Sequence, residues 1–79
     1  MERDPQLVEI GKRIRQLRLE KGFSQEGFAI QVGLDRSYYG GVERGERNVA
    51  ALNLVRLADT LGVEVGELFP PLKSLKRVR

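Results

Sequence analysis

Apolar residues recur at helical spacing along this chain, and glycines interrupt the pattern at intervals. The first run of apolar positions contains Ile10, Ile14 and Leu17 and stops before Gly22. Residues three or four apart share one face of a helix, so this run predicts a first helix that starts near Pro5 and ends at Gly22. Proline suits the first turn because the amide hydrogen that it lacks has no intrahelical partner there.

Two shorter runs follow and predict two short helices joined by a tight turn. We expect the second helix over 24–32 and the third over 35–44, because Ser24 and Asp35 are suited to cap their first turns. Gly33 can end the second helix in the left-handed conformation that glycine adopts without strain. The residues expected on the inner faces of this pair are Phe28, Ala29, Val32, Leu34, Tyr39 and Val42.

The remaining apolar positions predict a fourth helix over 50–61 and a short fifth helix over 64–69, which Pro70 ends. The core positions expected on the fourth helix are Ala51, Leu54, Leu57, Ala58 and Leu61. Short helices joined by short loops indicate the all-α fold class, with a compact five-helix domain over 1–70. The basic segment 71–79 is expected to be a frayed or loosely docked tail.

Three apolar residues fall outside this core pattern. Leu52 and Val55 lie three apart and share the opposite flank of the fourth helix, and Val65 on the fifth helix can extend their patch. A cluster of exposed apolar residues on a domain of this size favours a homodimer interface. The alternative is that one of them completes the core.

The composition argues against several functions. The chain has 79 residues, which suits one small domain, and it contains no cysteine and no histidine. It therefore has no disulfide, no thiolate or imidazole metal ligand and no histidine base, and we find no nucleophile–base pair for an enzyme. No apolar run reaches the roughly 20 residues of a membrane span. We expect a soluble cytoplasmic protein without a cofactor, a metal, a membrane or a small-molecule ligand.

The charge is informative through its distribution rather than its total. The chain carries 14 basic and 11 acidic residues, a net charge of +3, and four of the basic residues (Lys73, Lys76, Arg77 and Arg79) lie at its end. Two other basic groups are Lys12, Arg13, Arg15 and Arg18 on the first helix, and Arg36, Arg44 and Arg47 around the third. Grouped cations of this kind suit a nucleic acid, although each arginine taken singly is equally well explained as solvated surface.

The outward side of the predicted third helix carries hydrogen-bond donors and little bulk, which suits a helix lying in the major groove of DNA. We predict base readout by Arg36, Ser37, Tyr38, Gly40 and Gly41. Arg36 can bind a guanine edge through two hydrogen bonds, or it can clamp a phosphate. Ser37 can bind a base edge or a phosphate or lack a partner, and Tyr38 can touch a thymine methyl or a phosphate. The two glycines disfavour a helix, so we expect them to serve either a close DNA approach or a contact between helices.

Several motifs along the chain point to one family. They are Arg18, Gly22, Phe23-Ser24-Gln25-Glu26, Ala29, Gly33-Leu34, Val42-Glu43-Arg44-Gly45 and Leu61-Gly62-Val63. On these residues, nearly the whole chain resembles the Cro/repressor-type (XRE-like) helix-turn-helix regulators. A narrower set resembles the controller proteins of restriction-modification systems, a pattern that stand-alone regulators share: Leu34-Asp35-Arg36-Ser37-Tyr38, Gly41-Val42-Glu43-Arg44-Gly45 and Arg47-Asn48.

The resemblance implies a lambda-repressor-like DNA-binding fold and roles for further residues. It implies a phosphate contact by Gln25 and a buried structural ion pair between Arg18 and Glu43. It also implies an RNA polymerase contact by Glu26, for which the alternative is a carboxylate that complements the helix dipole. Phosphate contacts are further expected near the end of the third helix, from Arg44, Arg47 and Asn48; the alternative for Asn48 is a role in shaping the turn.

Together these residues predict a sequence-specific DNA-binding transcriptional regulator. A homodimer would present two recognition helices about one DNA turn, roughly 34 Å, apart to a near-palindromic operator. The resemblance implies autoregulation and a role as the controller of a restriction-modification system. The alternative is an antitoxin or adaptor-type protein-interaction module on the same fold, which would use Leu52, Val55, Val65 and the tail to hold a partner.

Overall fold

The computed structural model describes residues 3–77 as five α-helices and one short 3₁₀ helix. The α-helices are α1 (Pro5–Glu20), α2 (Gln25–Val32), α3 (Arg36–Glu43), α4 (Ala51–Leu61) and α5 (Leu72–Arg77), and the 3₁₀ helix is Val65–Leu68. No strand occurs between residues 3 and 77, and the all-α fold class is confirmed. Over the same residues, every helix is too short or too polar to cross a membrane.

The two central helices begin at the predicted caps. The Ser24 hydroxyl accepts a hydrogen bond from the Gly27 amide at 3.0 Å, and the Asp35 carboxylate accepts one from the Tyr38 amide at 3.0 Å. A cap of this kind stabilises a helix by about 1 kcal/mol because it satisfies an amide that has no intrahelical partner. The local sequence therefore sets where α2 and α3 start.

The turn between α2 and α3 depends on the left-handed backbone of Gly33, whose φ is 86°. The amides of Gly33 and Leu34 both donate to the Ala29 carbonyl, at 3.0 and 2.9 Å. This arrangement satisfies the last carbonyls of α2 and redirects the chain within two residues. It is the short turn that the sequence predicts.

The core lies where α1, α2, α3 and α4 meet. Its buried members are Ile14, Leu17, Phe28, Ala29, Val32, Tyr39, Val42, Leu57, Ala58, Leu61 and Leu68. The Phe28 ring stands edge-on to the Tyr39 ring with centroids 5.3 Å apart, a favoured aromatic geometry. The inward residues predicted on α2 and α3 are confirmed. The prediction for Ala51 is wrong, because this residue opens α4 at its solvent-exposed end.

The end of the chain differs from expectation in two ways. The predicted helix over 64–69 is the four-residue 3₁₀ helix, and the tail, expected to be either frayed or loosely docked, forms α5 and so is not frayed over Leu72–Arg77. Pro71 explains the second difference, because its carbonyl accepts the first hydrogen bonds of α5, from the amides of Ser74 and Leu75. The Gln6 side chain then donates to the Leu75 carbonyl at 3.1 Å and joins α5 to α1. Arg79, one of the predicted tail charges, lies outside the described residues.

Helices α1 and α3 approach each other unusually closely. A Cβ atom on Gly11 would lie 2.5 Å from the carbonyl oxygens of Val42 and Glu43. A Cβ atom on Gly45, whose φ is 76°, would lie 2.5 Å from the Cα of Val8. Only glycine fits at either position, since real side chains essentially never come this near to backbone atoms. Neither contact was predicted from the sequence, and both hold the end of α3 against α1.

Candidate nucleic-acid interface

The first turn of α3 presents polar side chains to solvent. Arg36 and Ser37 are both exposed, as the sequence predicts. The Arg36 guanidinium donates to the Glu26 carboxylate at 3.2 Å, and the two side chains are 71% and 61% exposed. An ion pair this exposed contributes little stability, so a stronger partner can displace either member.

Tyr38 is less exposed to solvent than the sequence predicts. Its ring is half-buried against the core, and its hydroxyl oxygen accepts a hydrogen bond from the Asn53 side chain at 3.4 Å. Asn53 belongs to α4, so the position of the Tyr38 ring depends on tertiary packing. The neighbouring Tyr39 is fully buried, as predicted.

A buried network fixes α3 against α1 and α2. Arg18 donates to the two Glu43 carboxylate oxygens at 2.6 and 3.2 Å, and a third nitrogen donates to the Phe23 carbonyl at 2.8 Å. The Tyr39 hydroxyl also donates to Glu43, and the Gln25 side-chain amide donates to it at 3.1 Å. The ion pair implied by the resemblance is therefore present, and three further groups bind it: the Phe23 carbonyl on Arg18, and Tyr39 and Gln25 on Glu43.

The network keeps its carboxylate ionised although it is buried. Burial raises the pKa of Glu43, but hydrogen bonds from Arg18, Tyr39 and Gln25 outweigh that effect, and the net pKa is lowered. The hydrogen bond to Glu43 raises the pKa of Arg18, against the opposing effect of burial. Burial is also the main reason that the pKa of Tyr39 is raised. The charged pair is consequently a fixed feature of the fold near neutral pH.

Gln25 serves this network at the first residue of α2. It is half-buried, and its amide joins the start of α2 to the end of α3. The structure thus gives Gln25 a role in bracing α3 against α2, while its phosphate contact stays a prediction. Asn48 is exposed in the loop before α4, where its own phosphate contact stays a prediction too.

Two arginines cover the glycine pair of α3. A Cβ atom on Gly40 would lie 2.9 Å from a terminal nitrogen of Arg44, and one on Gly41 would lie 2.9 Å from the Cγ of Arg47. Both glycines are buried, so the open, bulk-free surface expected over them is absent from this structure. The alternative, a contact between helices, is found at Gly40, where the same Cβ atom would lie 3.5 Å from the side-chain oxygen of Gln25 on α2; the closer contact, between helix backbones, is at Gly11. The glycines make room for arginine side chains that fold across the helix.

Glu46, in the loop after α3, joins arginines from distant parts of the chain. One carboxylate oxygen accepts from Arg44 at 3.1 Å, and the other accepts from Arg3 at 3.0 Å. Neither Arg3 nor Glu46 is among the site residues predicted from the sequence. No local signal identifies this pair, because 43 positions separate the two residues.

The three apolar residues predicted to form an interface are exposed. Leu52 is 75%, Val55 is 51% and Val65 is 37% exposed, so none of them completes the core. Leu52 and Val55 lie on α4, on the side away from its buried positions. Among residues 3–77, no group of three or more acidic side chains is placed to hold a metal ion.

The fold and this surface define a helix-turn-helix protein. The family model described as helix-turn-helix matches residues 14–68, which include α2, α3 and α4. The chain therefore belongs to the helix-turn-helix family, as the resemblance to Cro/repressor-type regulators predicts.

Within that family, the chain is similar to controller proteins of restriction-modification systems. It is 42% identical over 68 residues to control protein C.MunI of a Mycoplasma species, covering 85% of this chain and 92% of that protein. The crystal structure of the restriction-modification controller protein C.AhdI from Aeromonas hydrophila matches with a TM-score of 0.77 and 57% identity, covering 80% of this chain and 96% of that one. The biofilm regulator SinR, solved in complex with DNA, matches with a TM-score of 0.72 and 37% identity over 75% of this chain and 95% of that one.

Proposed function

We propose that this chain is a sequence-specific DNA-binding transcriptional regulator that inserts α3 into the major groove. The observation that carries this proposal is the exposed Arg36–Ser37 pair at the start of α3, on a helix fixed by the buried Arg18–Glu43 ion pair. Base readout requires donors at the N-terminal end of a rigid helix, and this arrangement supplies them. The likeness to SinR, solved in complex with DNA, supports the same placement.

Phosphate contacts would fix the register of α3 on the duplex. Arg44 and Arg47 follow the C-terminal end of α3, and their side chains fold back over Gly40 and Gly41. Asn48 comes next in the loop. At the other end, the start of α2 offers free amides and the Gln25 side chain to a phosphate. These groups flank Arg36 and Ser37, so backbone contacts and base contacts can form together.

The proposal is tested by comparing two labelled duplexes in fluorescence anisotropy. One is the region upstream of the protein's own gene and the other is its scrambled sequence, each measured at about 50 and 200 mM salt. We expect tight, salt-sensitive binding to the upstream duplex and weaker binding to the scrambled one. Arg36→Ala should cost about 1–3 kcal/mol on the upstream duplex, roughly 5- to 150-fold in affinity, and much less on the scrambled one.

Lys12→Ala is the matched control for Arg36→Ala. Lys12 lies on α1, is 67% exposed and pairs with Glu9 at 3.2 Å, the same length as the Arg36–Glu26 pair. Its loss should leave the preference for the upstream duplex intact. Equal weakening of both duplexes by Arg36→Ala would make this residue a phosphate clamp. Absence of binding to either duplex would favour the antitoxin or adaptor function.

A homodimer on a near-palindromic operator is the form that we propose for the complex. The exposure of Leu52 and Val55 on one side of α4, and of Val65 on the 3₁₀ helix, supports a two-fold interface in which the same residues meet their own copies. Dimerisation would couple operator occupancy to the concentration of the protein.

We expect Leu52→Asp to separate the dimer. It places a charge on each side of the two-fold interface, which should raise the dimer dissociation constant by at least about 100-fold in sedimentation equilibrium. Ile30→Asp is the control, because Ile30 is 72% exposed on α2 and Leu52 is 75% exposed. If both variants keep the wild-type mass, or if the wild type is a monomer at high concentration, the proposed interface is wrong.

Autoregulation and control of a restriction-modification system are the finer parts of this proposal. The similarity to C.MunI and C.AhdI supports them, and a methyltransferase or endonuclease gene beside this one would test them. Contact with RNA polymerase through Glu26 also stays a proposal. The exposure of the Glu26 carboxylate supports this contact. The ion pair with Arg36 would compete with RNA polymerase for the same carboxylate.

A further inference from the structure

Arg3, Arg44 and Glu46 form a charge cluster beside the C-terminal end of α3. The carboxylate binds one guanidinium on each oxygen, at 3.0 Å for Arg3 and 3.1 Å for Arg44. The three side chains are 51%, 50% and 37% exposed. The N-terminal segment is thereby held next to the helix proposed to enter the groove, and the cluster carries one net positive charge.

The packing beneath the cluster fixes its position. Gly45, which lies between Arg44 and Glu46, packs against Val8 of α1, so the segment that carries these two side chains is held at the start of α1. Arg44 donates to Glu46 through its Nε, while its terminal nitrogen lies over Gly40. A guanidinium bound only through Nε keeps its other donors for a second partner.

We propose that this cluster is a further phosphate-binding site, in which Arg3 and Arg44 contact the DNA backbone and Glu46 limits their affinity. The inference rests on the proposed DNA-binding function. A phosphate approaching the end of α3 meets both arginines together, and it competes with the Glu46 carboxylate for their donors. Glu46 also repels the phosphates, since DNA carries one negative charge per about 1.7 Å of its axis.

Arg3 and Glu46 should change the affinity for DNA in opposite directions. Arg3→Ala removes one phosphate contact per protomer, so for each protomer bound the affinity should fall about tenfold near 0.1 M salt and the slope of log K against log salt should become shallower by about 0.9. Glu46→Gln keeps the size of the side chain and removes its charge, so affinity should rise several-fold and the slope should steepen by a similar amount. Both changes should appear on the upstream and the scrambled duplex alike, because phosphates carry no sequence.

The test measures both variants by fluorescence anisotropy on the two duplexes across a salt series. Lys12→Ala and Glu9→Gln are the matched controls, since they remove the same charges from the 3.2 Å pair on α1. If Arg3→Ala has the same affinity for the duplexes as Lys12→Ala, the cluster is not a phosphate-binding site. Weaker binding by Glu46→Gln would overturn its limiting role and make Glu46 an aid to binding. If the wild type binds neither duplex, the proposed function fails first, whereas wild-type binding with unaltered variants refutes the cluster alone.

Discussion

Glu43→Ala is expected to destabilise the domain by about 3–5 kcal/mol, the usual cost of removing one partner of a buried ion pair. The substitution leaves the Arg18 guanidinium, whose side chain is only 6% exposed, without its carboxylate. It also removes the acceptor of the Tyr39 hydroxyl and of the Gln25 amide. Thermal or urea denaturation followed by circular dichroism measures the loss directly.

Glu46→Ala is the control for Glu43→Ala. It removes a glutamate three positions later, which accepts from two arginines at the surface, so the cost should stay below about 1 kcal/mol. A cooperative transition of Glu43→Ala at the wild-type midpoint would contradict the role given to the buried pair. The double variant Arg18→Met, Glu43→Leu should recover much of the loss, because it leaves no charge unpaired.

Gly11→Ala is expected to produce the second large effect, a loss of up to about 3 kcal/mol. The added methyl would lie 2.5 Å from two carbonyl oxygens of α3, and neither backbone can yield without separating α1 from α3. That movement would also disturb the Arg18–Glu43 hydrogen bonds, which join the same two helices. The loss outweighs the gain in helix propensity of about 1 kcal/mol that alanine otherwise provides. Thermal or urea denaturation measures this loss of stability.

Gly40→Ala provides the comparison for Gly11→Ala. Both glycines are buried in helices, but the methyl at 40 would lie 2.9 Å from a terminal nitrogen of Arg44, the far end of a flexible side chain that can move aside. The propensity gain should then dominate, and stability should stay constant or increase by up to about 1 kcal/mol. Equal destabilisation of the two variants would show that the distance from α1 to α3 is not what requires glycine at position 11.

The sequence predicts the central helices well because their signals are local. Ser24 and Asp35 cap α2 and α3 through amides three residues away, and Gly33 ends α2 through its own backbone. The same local rules fail at the end of the chain. Pro70 does end the preceding segment, but Pro71 also starts a new helix, and a proline between two segments is compatible with either outcome.

The candidate site divides in the same way between local and distant determinants. Arg36 and Ser37 follow a cap on the outward side of a short helix, so their exposure can be read from position alone. The half-burial of Tyr38 requires α4, and the covering of Gly40 requires the direction in which the Arg44 side chain folds. Neither can be derived from helical spacing, which gives the face of a helix but not what lies upon it.

Residue order alone therefore specified the all-α class, the α2–turn–α3 unit and the donors at the start of α3, because caps, glycines and apolar spacing act within a few residues. The Glu43 hydrogen bonds, the Gly11 contact and the Arg3–Glu46–Arg44 cluster depend on the assembled fold. The Arg18–Glu43 pair joins positions 25 residues apart and the Arg3–Glu46 pair joins positions 43 residues apart, while the backbones at Gly11 meet only after packing. Such contacts form only when several helices pack together, so they cannot be predicted from the spacing of residues within a single helix.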